Sequence, residues 1–487
     1  MRSRLWILLL LAGAAIAACG GGSAGNANGG ALLPQGPPPK KTSPIKHVVI
    51  VIQENRSFDN FFATFPGANG TLTGQAAAMP TPVAQSCASN PKHPQVITQP
   101  TTIPLAKVSI TGKGYNKYNF GWNNDLDHIY KGYYTELDAG RMDGFDLVYF
   151  GPDGESHQAE CTYAYQYVNP SEIAPYWDIA KQYVLADNTF ATQGSSSFTG
   201  HQDLIAGATQ ISATESIIDN PTNTPWGCDS PPGTKTSLIV NYGTSLKYLQ
   251  FDGPYPCFTY KTLRDRLDAK KISWKYYAAD TKGFVTGLWS AFDAIQAVRK
   301  GPEWQTNVMI SPKVIFDDIS ENQLPSVVWL TPNAPDSDHP YVSVNRKPTD
   351  LGPSWVASVV NAIGKSSYWN STAIVIVWDD SGGFYDHVKP PFTDTQGGLG
   401  FRVPMLIVSP YVQPHVEHTQ YEFGSILKFI EQTFGLRSLE TTDERATSIV
   451  NAFNLTQTPR PFKKIPSQYS IDFFRHQNDT NIPVDTQ

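Results

Sequence analysis

The sequence predicts an α/β protein, a three-layer α/β/α sandwich around a mostly parallel central sheet with loop-rich insertions. Three observations carry that expectation. Residues 45–52 and 371–378 are β-branched apolar runs without the alternation of a half-exposed strand, the pattern of parallel strands buried on both faces. Helical patterns fall between the strand candidates, as crossover connections of a parallel sheet require. The 38 Gly and 38 Pro among 487 residues point to long, structured loops rather than short hairpin turns.

Taken in order, the strand candidates are Ile45–Ile52, Ile272–Tyr277, Ser326–Leu330, Ser371–Trp378 and Pro404–Val408. Between and after them lie two amphipathic helices, Trp355–Ile363, with Val356, Val359, Val360 and Ile363 on one face, and Phe423–Phe434. A further helix starts at about Thr199. Residues 66–125 and 208–260 are rich in Thr, Pro, Gly and Asn with weak periodicity, and read as insertions around the sheet. In open parallel sheets ligands gather where strands end and loops begin, so those ends are where chemistry is sought.

Only 16% of residues are charged, against roughly 25% in an average soluble domain. Ordered, aromatic-rich composition excludes a disordered chain, and a net charge of -6 excludes a nucleic-acid binder led by a basic face. The first 18 residues carry Arg2 and Arg4, an apolar stretch from Leu5 to Leu11, and then small residues, the pattern of a cleaved export signal. Ile16-Ala17-Ala18-Cys19 resembles a bacterial lipobox, which makes Cys19 a lipidation site and residues 19–44 a flexible, then Pro-stiffened tether. The expected location is therefore outside the cytoplasm, as a membrane-anchored lipoprotein on the periplasmic or cell-surface side, or as a secreted protein if Cys19 is incidental to an ordinary signal. Four cysteines remain, Cys87, Cys161, Cys228 and Cys257, with no CxxC spacing, so two disulfides are expected rather than a metal site. Three connectivities are open; proximity alone favours Cys87 with Cys161 and Cys228 with Cys257.

The first strand runs into Gln53-Glu54-Asn55, where a carboxylate and an amide offer two hard oxygen ligands, although Asn55 and Asp59 also suit a turn or cap. The strand at 371–378 runs straight into Asp379-Asp380, and a bound cation is the simplest compensation for adjacent acids there; a solvated turn is the plainer alternative. The run Ser195-Ser196-Ser197 precedes the helix from Thr199, and a serine at such a helix start is either a cap or a nucleophile near an anion-favouring dipole. His128, His339 and His387 each follow a predicted strand or turn. Singly they read as structural histidines; together at one sheet edge they suit phosphate binding and leaving-group protonation.

HVVIVIQENRSFDNFF at 47–62, DLDH at 125–128, GRMDGF at 140–145, QGSSSFTGHQDLIAG at 193–207, SDHP at 337–340, WDDSGGFYDHVKPP at 378–391, GFRVPMLIVSPY at 400–411 and SILKFIEQTFGL at 425–436 occur in that order. With them the chain, from about residue 45 to 455, resembles the bacterial phosphoesterase family of phospholipases C and related acid phosphatases, whose fold is similar to the alkaline phosphatase superfamily. The resemblance implies one divalent metal ion held by Glu54, Asn55, Ser197, Asp379 and Asp380. Ser197 would be the nucleophile, and Asn55, His128, His339 and His387 would bind the phosphoryl group, the histidines also protonating the leaving group. It further implies metal-assisted attack by the Ser197 alkoxide, a phospho-serine, and hydrolysis of that intermediate by water. A shell of oxygens without Cys or a ligand His suits Ca²⁺, Mg²⁺ or Mn²⁺.

Two departures bear on substrate. Asp379-Asp380-Ser381 stands where phospholipase-like members carry Asp-Glu-His, closer to the acid phosphatase branch, and Thr199-Gly200-His201 stands where Pro-Asn-Arg or Pro-Asn-His is common, leaving His201 as a further substrate-binding residue. The expected function is thus a metal-dependent phosphomonoesterase with acid phosphatase activity. The alternatives are a phospholipase C that cleaves phospholipid head groups, and a catalytically retired cell-surface binding protein. Because Glu54 and Asp380 lie more than 300 residues apart, one catalytic domain over 45–455 is expected, followed by a C-terminal extension at 456–487.

Overall fold

The two β-branched runs pair side by side at the centre of one nine-stranded sheet in the computed structural model, which describes residues 43–89, 95–111, 126–151, 158–243, 245–279, 287–340 and 351–478. In chain order its strands are β1 (His47–Gln53), β2 (Val184–Phe190), β3 (Trp274–Tyr277), β4 (Val308–Met309), β5 (Val327–Leu330), β6 (Thr372–Trp378), β7 (Arg402–Val408), β8 (His415–Glu417) and β9 (Tyr421–Glu422). The spatial order is β4-β3-β5-β1-β6-β7-β2-β8, with β9 also pairing β2. Strands β3, β4, β5, β1 and β6 are mutually parallel. The central strands have no solvent face: Val48 to Ile52 and Ala373 to Trp378 are all buried, which is why neither run alternates.

Strand β7 is the one reversed member of the sheet, antiparallel to both β6 and β2. It starts two residues before the expected Pro404, because that proline, lacking an N–H, falls where the register against β2 shifts between Val403 and Met405. The sheet is therefore mixed, mostly parallel.

Helices cover both faces. We label α1 (Tyr130–Leu137), α2 (Ala174–Gln182), α3 (Ser197–Ala206), α4 (Leu351–Gly364) and α5 (Phe423–Phe434). Helix α2 packs on α4, and α3 on α5. Val356, Val359, Val360 and Ile363 of α4 are fully buried, as the 3.6-residue periodicity predicts. Residues 456–478 are no detached tail. Asn361 of α4 exchanges two hydrogen bonds with the backbone of Ile465, and Phe474 packs edge-on against Trp355.

The insertions are more regular than their composition suggests. Residues 208–260 hold a three-stranded antiparallel sheet of Glu215–Ile218, Ser237–Asn241 and Leu246–Leu249, and Thr73–Ala76 pairs with Thr101–Pro104. Disulfides join Cys87 to Cys161 and Cys228 to Cys257. The signal segment 1–18, Cys19 and the tether to residue 42 lie outside the described residues, and no helix among the described residues is long and apolar enough to cross a membrane.

Candidate active site

Parallel pairing of β1 with β6 sets Gln53 opposite Trp378, so the two strand ends release their polar residues at the same level. The Asp379 N–H donates to the Gln53 carbonyl at 3.0 Å, and the Arg56 N–H donates to the Asp380 carbonyl at 3.1 Å. Asn55 adopts a left-handed conformation, φ 58°, and its N–H donates to Asp379 Oδ1 at 3.1 Å. Close approach of the two turns requires Gly382, where a Cβ would lie 2.5 Å from the Asn55 carbonyl oxygen. The result is a knot of acids: Glu54, Asp379 and Asp380 are each at most 2% exposed.

Helix α3 delivers the third component. The Ser197 hydroxyl lies 3.3 Å from Asp380 Oδ2 and 3.4 Å from Asn55 Oδ1, at the first residue of the helix and fully buried. His201, one turn further on, places Nε2 3.0 Å from Glu54 Oε1 and 3.7 Å from Asp379 Oδ2. Glu54, His201 and Asp379 together form a group able to hold a metal ion. Three buried carboxylates in such proximity need a cation, and Asp379 Oδ2 has no hydrogen-bond donor, so the residues present fit a divalent ion. His201 stands against the carboxylates. An imidazole beside oxygens extends the suitable ions toward Mn²⁺ and Zn²⁺, where an all-oxygen shell was expected.

The three expected histidines separate. His128 Nδ1 is 2.7 Å from the Leu126 carbonyl and so carries the proton, leaving Nε2 to accept from the Asn55 amide at 3.0 Å; Nε2 is also 4.0 Å from Asp380. His339 follows β5 with its ring tilted against Trp289 at 6.1 Å. The preceding Asp338 takes hydrogen bonds from Tyr176 and Trp378, while burial pushes its carboxyl up to about 7 against the opposing pull of those bonds and Arg56. His387 joins another cluster: its Nδ1 lies 2.6 Å from Asp59 Oδ2, and Arg402, fully buried, bonds Asp59 and Asp386. Burial raises the Asp386 carboxyl to about 6, with Arg402 opposing.

Two residues outside the motifs hold the serine loop that precedes α3. The Asn220 Oδ1 accepts from the Ser196 hydroxyl at 3.0 Å and the Phe198 N–H at 3.2 Å. Asp219, left-handed at φ 58°, exchanges hydrogen bonds with Ser195 and accepts the Tyr130 N–H at 2.7 Å, tying the loop to the helix that follows His128. Only an Asp-Asn pair directly after an apolar run, Ile217-Ile218, marked them in the sequence.

The chain is 28% identical to "Phospholipase C A" of Mycobacterium tuberculosis, over 85% of this chain and 78% of that protein. It is 24% identical to "Non-hemolytic phospholipase C" of Pseudomonas aeruginosa, over 88% of this chain and 60% of that protein. Among solved structures it is similar to a protein in the alkaline phosphatase superfamily from Vibrio parahaemolyticus, at 10% identity and TM-score 0.34, over 55% of this chain and 62% of that one. The phosphoesterase family model matches residues 45–437, and the chain belongs to that family of phosphoric ester hydrolases.

Proposed function

We propose that the chain hydrolyses phosphate monoesters by passing the phosphoryl group to Ser197 and then to water. The observation that carries this reading is the Ser197 hydroxyl itself, buried at the start of α3 between Asp380 and Asn55. The neighbouring serines are engaged elsewhere, Ser195 with Asp219 and Ser196 with Asn220. Glu54, Asn55, Ser197, Asp379 and Asp380 would hold the divalent ion, with His201 beside them; when bound, it supplies positive charge that favours the serine alkoxide and the charge on phosphorus. Ser197 Oγ gives its proton to solvent and attacks phosphorus, the P–O bond to the alcohol breaks, and the departing oxygen takes a proton from solvent or a neighbouring histidine. Water then attacks the phospho-serine, releasing inorganic phosphate and restoring the hydroxyl. His128 sits one contact from this centre through Asn55. His339 and His387 serve the phosphoryl group or leaving group in this reading, which carries an acidic pH optimum as its expectation.

A second reading, hydrolysis of phospholipids with release of the phosphorylated head group, is favoured by the two relatives named as phospholipases C. Two disulfides accord with an oxidising compartment outside the cytoplasm, to which the leader would send the chain, with Cys19 as membrane anchor. The test is an assay of purified, metal-loaded protein from pH 5 to 9 on p-nitrophenyl phosphate and on phosphatidylcholine vesicles. Inorganic phosphate from the first, maximal in the acidic half and absent in Ser197→Ala, is expected. Phosphocholine from the second with an inert first substrate selects the phospholipase reading, and undiminished turnover by Ser197→Ala overturns both.

A further inference from the structure

Glu136 lies on α1, and its carboxyl is spent on no structural task. The residue is 1% exposed, and neither carboxyl oxygen has a hydrogen-bond partner. Leaving such a group unpaired in the interior is destabilising, so its position needs another reason. Glu136 lines a small cavity together with His128, Ser195, Asp380, Tyr133 and Phe401, immediately beside the proposed nucleophile loop and metal-holding acid. The cavity has room for a group of about one water molecule's size. Among the described residues its walls carry no Lys or Arg. The Tyr133 hydroxyl is already committed to the Leu399 carbonyl at 2.7 Å, so that residue offers only its ring, packed 4.7 Å from Phe401. A mixed polar and aromatic lining that includes the unpaired Glu136 accepts a hydrogen-bond donor or a small cation, and Glu136 and Asp380 together disfavour an anion.

We propose that this cavity is a substrate subsite in which Glu136 accepts a hydrogen bond from a hydroxyl or primary ammonium group carried close to the reacting phosphorus. The proposal rests on the phosphoester reading above and names the kind of ester this chain selects: one whose alcohol bears a donor a few bonds from the phosphate. Burial holds the Glu136 carboxyl well above the usual range, Glu160 and Asp127 adding to the effect and His128 opposing it. A carboxyl in either protonation state keeps an acceptor oxygen for a hydroxyl, and an ammonium additionally favours the ionised form.

The test measures binding rather than turnover, so that its outcome is separate from whether Ser197 is the nucleophile. Full-length, metal-loaded Ser197→Ala protein is titrated calorimetrically with ethyl phosphate, 2-hydroxyethyl phosphate and phosphoethanolamine, three ligands of nearly equal shape. The two donor-bearing ligands are expected to bind about tenfold more tightly, the worth of one hydrogen bond in a buried site. Adding Glu136→Leu should bring the three affinities together. Adding Glu136→Gln, which keeps shape and an acceptor oxygen, should preserve the preference for the hydroxyl and lose that for the ammonium. Equal affinities before Glu136 is changed, or a preference that survives both substitutions, show that the cavity holds only water and overturn the proposal.

Discussion

The Asn220 carboxamide oxygen accepts the Phe198 N–H at 3.2 Å, so the helix that begins at Ser197 is capped by a residue 22 positions away and not by its own Ser196. A cap from a separate segment fixes where the helix starts in space as well as satisfying a free N–H. Asn220→Ala should cost about 1 kcal/mol of stability. If Ser197 is the nucleophile, it should lower kcat by ten- to about a hundredfold with a smaller change in KM, since misplacing that residue affects the reacting geometry more than ground-state binding. Asn220→Asp, which keeps the acceptor, should recover most of that loss. Steady-state kinetics beside thermal melts decide it; a KM-only effect would remove Asn220 from this role.

Three consecutive serines invite confusion over which one reacts, and their partners separate them. Ser197→Ala should lose at least about a thousandfold in kcat and all capacity to be phosphorylated, whereas Ser196→Ala should remain within about tenfold of the parent. Mass spectrometry of acid-quenched protein after exposure to substrate locates the phosphate. A label on Ser195 or Ser196 would reassign the nucleophile.

Glu54, Asp379 and Asp380 repel one another in a dry interior, so a metal chelator should act on stability as well as on rate. The thermal midpoint should drop by several degrees on chelation, turnover should cease, and added Mn²⁺, Mg²⁺ or Ca²⁺ should restore both to different extents. Asp380→Asn should shrink the chelator-induced drop in midpoint. An unchanged midpoint would show that these acids are compensated without an ion.

Burial raises the Asp336 carboxyl to about 7, with a hydrogen bond from Gln477 working against the shift. Unfolded, the same carboxyl titrates near 3.8. Between these values the folded chain keeps a proton that the unfolded chain gives up. Its contribution to stability is therefore full below about pH 4 and is lost as pH rises through 7. Asp336→Asn, which cannot ionise, should flatten the decline by about 1–3 kcal/mol between pH 4.5 and 8 in urea melts. Parallel curves for the two proteins would exclude the shift.

Strands β1 and β6 were legible because each is buried on both faces and therefore written in unbroken β-branched residues. Glu54, Asn55, Asp379 and Asp380 were legible because polar residues at the ends of such strands stand out. Strand β2 was not, since Asp187 and Asn188 interrupt it; Asp187 accepts the Asn69 N–H and a His418 bond, partners no local pattern reveals. The reversal of β7 is equally silent, because an apolar strand reads the same in either direction. His387 was expected beside phosphate from its motif, yet the Asp59 to which it is bonded sits in the first motif, and pairing between distant motifs is a property of the fold. Asp219 and Asn220 act through backbone N–H groups of other segments, a kind of contact that leaves hardly any imprint on residue type.

The pairing of Gln53 with Trp378 also governs when the candidate site can first assemble. During synthesis, Glu54 and Asn55 leave the ribosome long before the strand that must flank them exists. A chain truncated anywhere before residue 379 has one of the three acids, Glu54, and lacks Asp379 and Asp380. The last third of the sequence arms the first, and only where the whole chain comes to rest.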